Sequence, residues 1–290
     1  MELHPLRVFL AVASEKSFSR AAEKLLRTQP AISLSIQRLE AELGERLIDR
    51  SAKDLLLTAA GQLVYDYAQR FENLQADLEN ALAELRDKSA GRLAIGANES
   101  CTLYLLDHIE RYRALYPKVK VQVRRSLSSR IPAELIDGQL ELGILTYDPE
   151  DERLVSKVIY TDHLSFVVSP EHRLAGKKEV AIGELGEETF IAHNVVSPYR
   201  AMVLRAFQSH KVPLKMDLEM PTIEAIRKMV ERNEGVAFLP RMCVDQEIRR
   251  GLLREVKVRE MSMERKIRLV YPARRALSHA AQAFLDVVGG

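Results

Sequence analysis

The sequence predicts a protein of class α + α/β: a small helical head, one long connecting helix, and a larger domain of two α/β lobes. Three observations carry this. Residues 1–57 hold three short amphipathic segments and a strand-rich tail. Residues 58–88 hold no proline and an unbroken apolar seam. From residue 89 to 290, strand-like and helix-like runs alternate, the pattern of an α/β fold with mainly parallel strands. A chain of 290 residues has room for two domains.

The head is read in order. Leu3, Leu6, Phe9, Leu10 and Ala13 recur at helical spacing, with Pro5 tolerated in the first turn. Ser17 is placed to cap a second helix with Ala21, Ala22, Leu25 and Leu26 inward, the alanines allowing close approach of a neighbour. Thr28 caps a third helix, Pro30 lies in its first turn, Ile32, Ile36, Leu39 and Leu43 face the core, and Gly44 ends it. Residues 46–57 read as a hairpin turning at Lys53-Asp54.

In 58–88 only Gly61 is a poor helix former. Val64, Tyr67, Phe71, Leu74, Leu78, Ala81 and Leu85 alternate spacings of three and four, which makes a heptad seam. A helix about 45 Å long, at ~1.5 Å per residue, needs a partner for that stripe. The same helix of a second subunit is the simplest partner, and packing on a domain of the same chain is the alternative.

Residues 89–290 contain a loose internal echo. A helix (103–115), Pro117, a strand (119–123), a helix (133–137), Gly138 and a strand (140–145) are followed later by a helix (201–210), Pro213, a strand (214–220), a helix (223–232), Gly235 and a strand (236–239). This predicts two similar lobes with a cleft between them: lobe I about 91–161 and 268–290, lobe II about 162–267. Residues 166–168 and 267–270 are the expected crossing strands.

Composition excludes several classes. Lys plus Arg number 43 against 41 Asp plus Glu, a net charge of +2, so neither a polyanion-coating tail nor an acidic disordered chain fits. A local basic patch can still act. Two cysteines exclude a disulfide scaffold, and no Cys/His cluster offers a zinc site. No GxSxG, HExxH, P-loop or GxGxxG occurs, so neither catalysis nor a resident cofactor is expected. The start Met1-Glu-Leu-His-Pro has no leader pattern, and no apolar run reaches 18 residues, so a cytoplasmic protein with no membrane contact is expected. Two lobes alone would suit a solute-binding protein, but the first 90 residues do not.

The third helix carries the main functional signal. Opposite its core face lie Pro30, Ser33, Leu34, Gln37, Arg38 and Ala41, small and polar apart from Leu34. Gln and Ser near the start of a helix behind a tight turn suit major-groove reading: Gln pairs with adenine, Ser with several base edges, and an exposed Leu with a thymine methyl. Arg20, Lys24 and Arg27 on the second helix, and Arg50 and Lys53 in the hairpin, are placed to hold phosphates. With nine basic residues against eight acidic in 1–60 the footprint is modest, and a protein-interaction module is the rival.

The whole chain resembles the LysR-type transcriptional regulators. The residues that carry this are Leu6-Arg-Val-Phe9, Val12, Ser17-Phe-Ser-Arg-Ala-Ala22, Leu25, Gln29-Pro-Ala-Ile-Ser33, Ile36, Arg38-Leu-Glu40, Leu43-Gly44, Leu47, Arg50, Leu57-Thr58 and Gly61. The resemblance implies a winged helix-turn-helix, a linker-helix dimer and a C-terminal domain like periplasmic binding proteins. It also implies a homodimer that assembles further to a tetramer, bending of double-stranded promoter DNA, control of RNA polymerase access, and response to a small-molecule effector. Gln29, Pro30 and Ser33 match groove-approaching positions, and Arg50 and Lys53 match wing positions near the backbone or the minor groove. Leu34 stands where family members often have Arg, and Leu47-Ile-Asp-Arg50 replaces Leu-Phe-x-Arg.

Ligands in α/β lobes bind beyond the carboxyl ends of strands, where helix N-termini point. The residues there are Asn98, Glu99 and Ser100, then Ser126, Ser128 and Ser129, then Thr146, then His193, Asn194 and Ser197, and finally Thr222. The resemblance matches Ser100, Ser128 and Thr146 to pocket positions. Hydroxyls and helix N-termini favour an anion, and an inward Glu99 opposes one, so the ligand's charge stays open. Cys101 near a helix start and Cys243, expected in different lobes, offer thiol-based redox sensing as the alternative mechanism.

Overall fold

The computed structural model describes residues 3–49, 55–86, 90–195 and 197–289. These form two compact units. The first contains α1 (Leu3–Glu15), α2 (Phe18–Lys24), α3 (Gln29–Leu43), a hairpin of β1 (Ile48–Asp49) and β2 (Leu56–Leu57), and α4 (Ala59–Arg86). Ser17 Oγ accepts from Arg20 N (3.3 Å) to start α2, and Thr28 Oγ1 accepts from Ala31 N (3.4 Å) to start α3. Gly44, at φ 73°, closes α3 in the left-handed region that glycine adopts without strain. Phe9 and Val12, Ala21 and Ala22, and Ile32, Ile36 and Leu39 meet in one core with Leu47 and Ile48 of the hairpin.

Two expectations fail here. Leu26 is not on an inner face: α2 stops at Lys24, Leu26 takes φ 52°, and its side chain is 92% exposed. Val64 is not part of a free seam: the first turns of α4 lie on the head, so Val64 and Ala60 pack against the head core. Gly61 explains how α4 comes so close. A Cβ there would lie 2.0 Å from the Leu47 carbonyl oxygen, which also accepts from Thr58 N at 3.1 Å. Beyond that contact, Tyr67, Phe71, Leu74, Leu78 and Leu85 are exposed, and Leu63 and Leu82 widen the same apolar stripe.

The second unit runs β3 (Gly91–Ala97), α5 (Glu99–Leu115), β4 (Val119–Arg125), α6 (Ile131–Ile136), β5 (Leu142–Leu145), β6 (Leu154–Val168), β7 (Glu179–Val180), β8 (Thr189–His193), α7 (Pro198–Ser209), β9 (Lys215–Met220), α8 (Ile223–Glu231), β10 (Ala237–Pro240), α9 (Asp245–Arg250), β11 (Arg254–Glu255), β12 (Lys257–Val258), β13 (Glu264–Pro272) and α10 (His279–Gly289). Short 3-10 turns lie at Ile182–Leu185 and Arg241–Cys243. The succession helix, strand, helix, strand occurs in both lobes, as α5-β4-α6-β5 and α7-β9-α8-β10. Helices α5 and α7 begin four and three residues earlier than the apolar periodicity predicts. Asn98 and Ser197 cap them, and a cap sets the start of a helix where periodicity cannot.

The lobes share a sheet of order β10-β6-β13-β5-β3-β4, with β11 beside β6. The expectation of mainly parallel strands holds inside the lobes, where β3 runs parallel to β5 and β8 to β9. It fails at the crossing. The long strands β6 and β13 pair antiparallel, with a register shift between Ile267 and Arg268, and β10, β11 and β5 run antiparallel to them. A strand that enters one lobe must be matched by another that returns, and this imposes the reversed direction. Among the described residues, no helix is long and apolar enough to cross a membrane, and no group of His, Cys, Asp and Glu could hold a metal ion.

Candidate functional site

Two surfaces hold the sequence-predicted residues. The first is the outer face of α3. With Ile32, Ile36 and Leu39 buried, Gln29, Pro30, Gln37 and Arg38 are exposed, Ser33 is half-buried, and Leu34 is 48% exposed. Thr28 stands at the head of this face as the α3 cap. Arg27 is exposed at the turn. Lys24 and Arg20 are engaged within the head. Lys24 Nζ pairs with Glu15 Oε1 (2.6 Å), holding the Glu15 carboxyl below its ordinary range, and Arg20 donates to the Glu15 carbonyl. Arg50 and Lys53 lie outside the described residues.

The second surface is a cavity of about 1060 Å³ between the two lobes of the second unit. It is lined by Asn98, Ser100, Ser126, Ser128, Ser129, Thr146 and His193, seven of the nine predicted effector positions, and by Glu99 and Ser197. They converge because the loops after β3, β4 and β5 open toward the start of α7. Asn98 is the hub. Its Oδ1 accepts from Cys101 N (2.9 Å) and Ser100 Oγ (3.0 Å), capping α5, while its Nδ2 donates to Ser128 Oγ (2.8 Å). Asn194 and Thr222 do not line the cavity. Asn194 is exposed, its N–H donating to Met220 O to extend the β8–β9 pairing; Thr222 Oγ1 accepts from Ala225 N (3.1 Å) as the α8 cap.

The lobes are tied across the cleft. Glu99 Oε1 accepts from Ile223 N (2.8 Å) at the start of α8, and its Oε2 lies 3.4 Å from both Arg125 and His193 Nε2. Tyr199 Oη donates to Thr146 O (2.7 Å). Glu99 does point inward, but with both oxygens already met by donors.

Sequence reasoning missed the residue beneath these contacts. Arg265 on β13 is 2% exposed and lines the cavity. Its guanidinium donates to Asp162 Oδ2 (2.9 Å) on the facing strand and to Ser100 Oγ (3.0 Å), and lies 4.9 Å from the Tyr199 ring centroid. Its Nε has no hydrogen-bond partner. Burial pushes the Asp162 carboxyl above its ordinary range, while Arg265 opposes that rise. A signal was available, since Arg265 falls two residues before buried Ile267, on the inward phase of an alternating strand. Arg125, Tyr147, Tyr199 and Arg200 were also missed, along with the apolar wall of Phe190, Val203, Met216 and Phe238.

Both cysteines are buried, and burial pushes their thiols up to about 11 for Cys101 and about 12 for Cys243. They are not separated as expected, because the 3-10 turn of Cys243 packs on α5, the helix of Cys101. Protonated, buried thiols do not favour the redox alternative.

Comparison with known proteins agrees with this geometry. Residues 3–62 match the model of the bacterial regulatory helix-turn-helix protein, lysR family, and residues 86–290 match that of the LysR substrate binding domain. A "Probable RuBisCO transcriptional regulator" of Cyanidioschyzon merolae is 31% identical over 289 residues, covering 97% of this chain and 95% of that protein. One of Synechocystis is 29% identical, covering 99% and 85%. Among solved structures, CbnR, a LysR family transcriptional regulator, superposes with a TM-score of 0.78 at 18% identity over 100% of this chain and 98% of that one. The Synechocystis CcmR regulatory domain in complex with 2-PG gives 0.62 at 24% identity over 68% of this chain and 95% of that one.

Proposed function

The chain belongs to the LysR family of transcriptional regulators, and on that premise we propose that it reads promoter DNA with α3 and adjusts transcription when a small molecule enters the cleft between its lobes. The observation that carries this reading is the exposed face of Gln29, Ser33, Leu34 and Gln37 on a helix whose other side is fully committed to the core. That face can enter a major groove without disturbing the fold. The exposed stripe from Tyr67 to Leu85 supports pairing with a second copy through α4, which gives two heads and a two-fold operator. Further assembly to a tetramer and contact with RNA polymerase belong to the same reading.

The effector acts through its preference between two arrangements of the lobes, and shifts their balance only as far as that preference extends. Asn98, Ser100, Ser126, Ser128, Ser129, Thr146 and His193 are the residues assigned to it, with Arg265 added. No resident cofactor is needed. Identity near 30% carries the family and not the regulated gene.

The test is anisotropy titration of the full chain on DNA from upstream of its own reading frame, at several salt concentrations. Salt-sensitive binding that prefers this fragment over scrambled DNA is expected. Equal affinity for both would overturn the reading. Phe71→Asp with Leu78→Asp is expected to give monomers by sedimentation, with promoter affinity reduced tenfold or more.

A further inference from the structure

The two walls of the cavity differ in chemistry. Lobe I presents hydrogen-bonding groups: Asn98 and Ser100 in the first turn of α5, and Ser126, Ser128 and Ser129 after β4. The positive end of the α5 dipole lies here. Lobe II presents the half-buried Met216 and Phe238, backed by the buried side chains of Phe190, Val203 and Ile226. The rings of Phe190 and Phe238 stack at 5.8 Å between centroids and 3° between planes, and Phe190 is braced edge-on by Phe207.

Charge on the walls is largely compensated. Among the described residues lining the cavity are one carboxylate, Glu99, and three arginines, of which Arg125 pairs with Glu99, Arg200 with Glu219 and Arg265 with Asp162. Both Glu99 oxygens are occupied by Ile223 N, Arg125 and His193. Glu99 therefore does not stand as a bare charge against an anion. Arg265 is held under the Ser100 hydroxyl with one nitrogen unpartnered, and its side chain is almost wholly buried. Asp162 offsets the Arg265 charge, so what favours negative charge next to Ser100 is the α5 N-terminus and the hydroxyls around it. At about 1060 Å³ the space far exceeds a small polar anion, which would leave Met216 and Phe238 wetted.

We propose that the effector is an amphipathic organic anion, with a carboxylate head held by the Asn98–Ser100–Ser128 end and a ring-sized apolar body against Phe238 and Met216. This rests on the cavity being the effector site, as read above.

Calorimetric titration of the full-length chain with three probes tests it: 2-naphthoate, the uncharged 2-naphthamide with the same rings, and phosphoglycolate, an anion without an apolar body. Naphthoate is expected to bind at least tenfold more tightly than either of the others, a comparison that needs no variant. Phe238→Asp is expected to weaken naphthoate tenfold or more, and Ser128→Ala to narrow its advantage over the amide. Phosphoglycolate binding more tightly than naphthoate, and lost in Ser128→Trp, overturns the amphipathic assignment while keeping the cavity as the effector site. No naphthoate binding at millimolar concentration also overturns the assignment. Naphthoate affinity unchanged in both Ser128→Trp and Phe238→Asp, each with a cooperative melt, overturns the cavity reading itself.

Discussion

The face of α3 and the inter-lobe cavity, the two proposed recognition sites, are built in opposite ways. On α3 the residues proposed to read DNA belong to one helix of fifteen residues, with Gln29, Gln37 and Arg38 exposed on its outer side. In the cavity the same residues bind one another: Asn98 caps α5 and holds Ser128, and Ser100 rests on Arg265, which pairs with Asp162 across the crossing strands. The first is a surface whose residues act separately. The second is a network in which the residues proposed for recognition also hold the fold together.

The comparison is sharpest where a cavity residue is removed. Arg265→Met leaves the Asp162 carboxylate buried and unpaired, and is expected to cost ~3–5 kcal/mol in urea unfolding. Pairing it with Asp162→Leu should restore much of that. The deficit also has a pH sign. Asp162 already titrates above its ordinary 3.8 because burial disfavours its charge, and loss of Arg265 raises it further. A raised carboxyl penalises the fold at pH values above its folded pKa, so the deficit is full near neutrality and shrinks as the solution is acidified. A cost below ~1 kcal/mol would break the contrast, because the buried pair would then behave like a surface one.

Gln29→Ala and Ser33→Ala should each cost ~1–3 kcal/mol of discrimination between matched and mismatched operators, measured by competition binding, with unfolding stability unchanged. Loss of stability in step with loss of discrimination would erase the difference between the two regions. Thr28→Ala tests the boundary between them. It removes the α3 cap, for which ~0.5–2 kcal/mol of head stability is expected in thermal melts. The smallest effect is expected at the cysteines. With thiols pushed up to about 11 and about 12, native protein should react with a thiol reagent far more slowly than urea-unfolded protein, and mild peroxide should leave promoter binding unchanged.

The same contrast governs how much could be read from the sequence. The face of α3 is local: Ile32, Ile36 and Leu39 fix which side is inward, so Ser33, Leu34 and Gln37 follow from spacing alone. The polar end of the cavity was legible because Asn98, Ser128 and Thr146 each follow a strand, a place fixed by chain direction. Asn194 and Thr222 follow strands too, but one exposes its side chain and the other spends its hydroxyl on a helix cap, and local sequence does not separate a cap from a ligand contact. Arg265 and Phe238 reach the cavity only because β13 and β10 are laid beside β6. Alternation along β13 turns Arg265 inward, but what lies on that inward side follows from the long-range pairing, about which periodicity carries no information. Val64 failed for a related reason, since its heptad position is correct but the head covers it.

The close seat of Gly61 on Leu47 has a mechanical consequence. With backbone resting on backbone there, no flexible side chain lies between the root of α4 and the hairpin to absorb a small rotation. In the proposed α4 dimer, a change in the crossing angle of the two helices is therefore transmitted to the hairpins with little play, as through a keyed shaft. Gly61→Ala would loosen that joint, and the angle set along the helix would no longer determine the angle at which the heads meet the double helix.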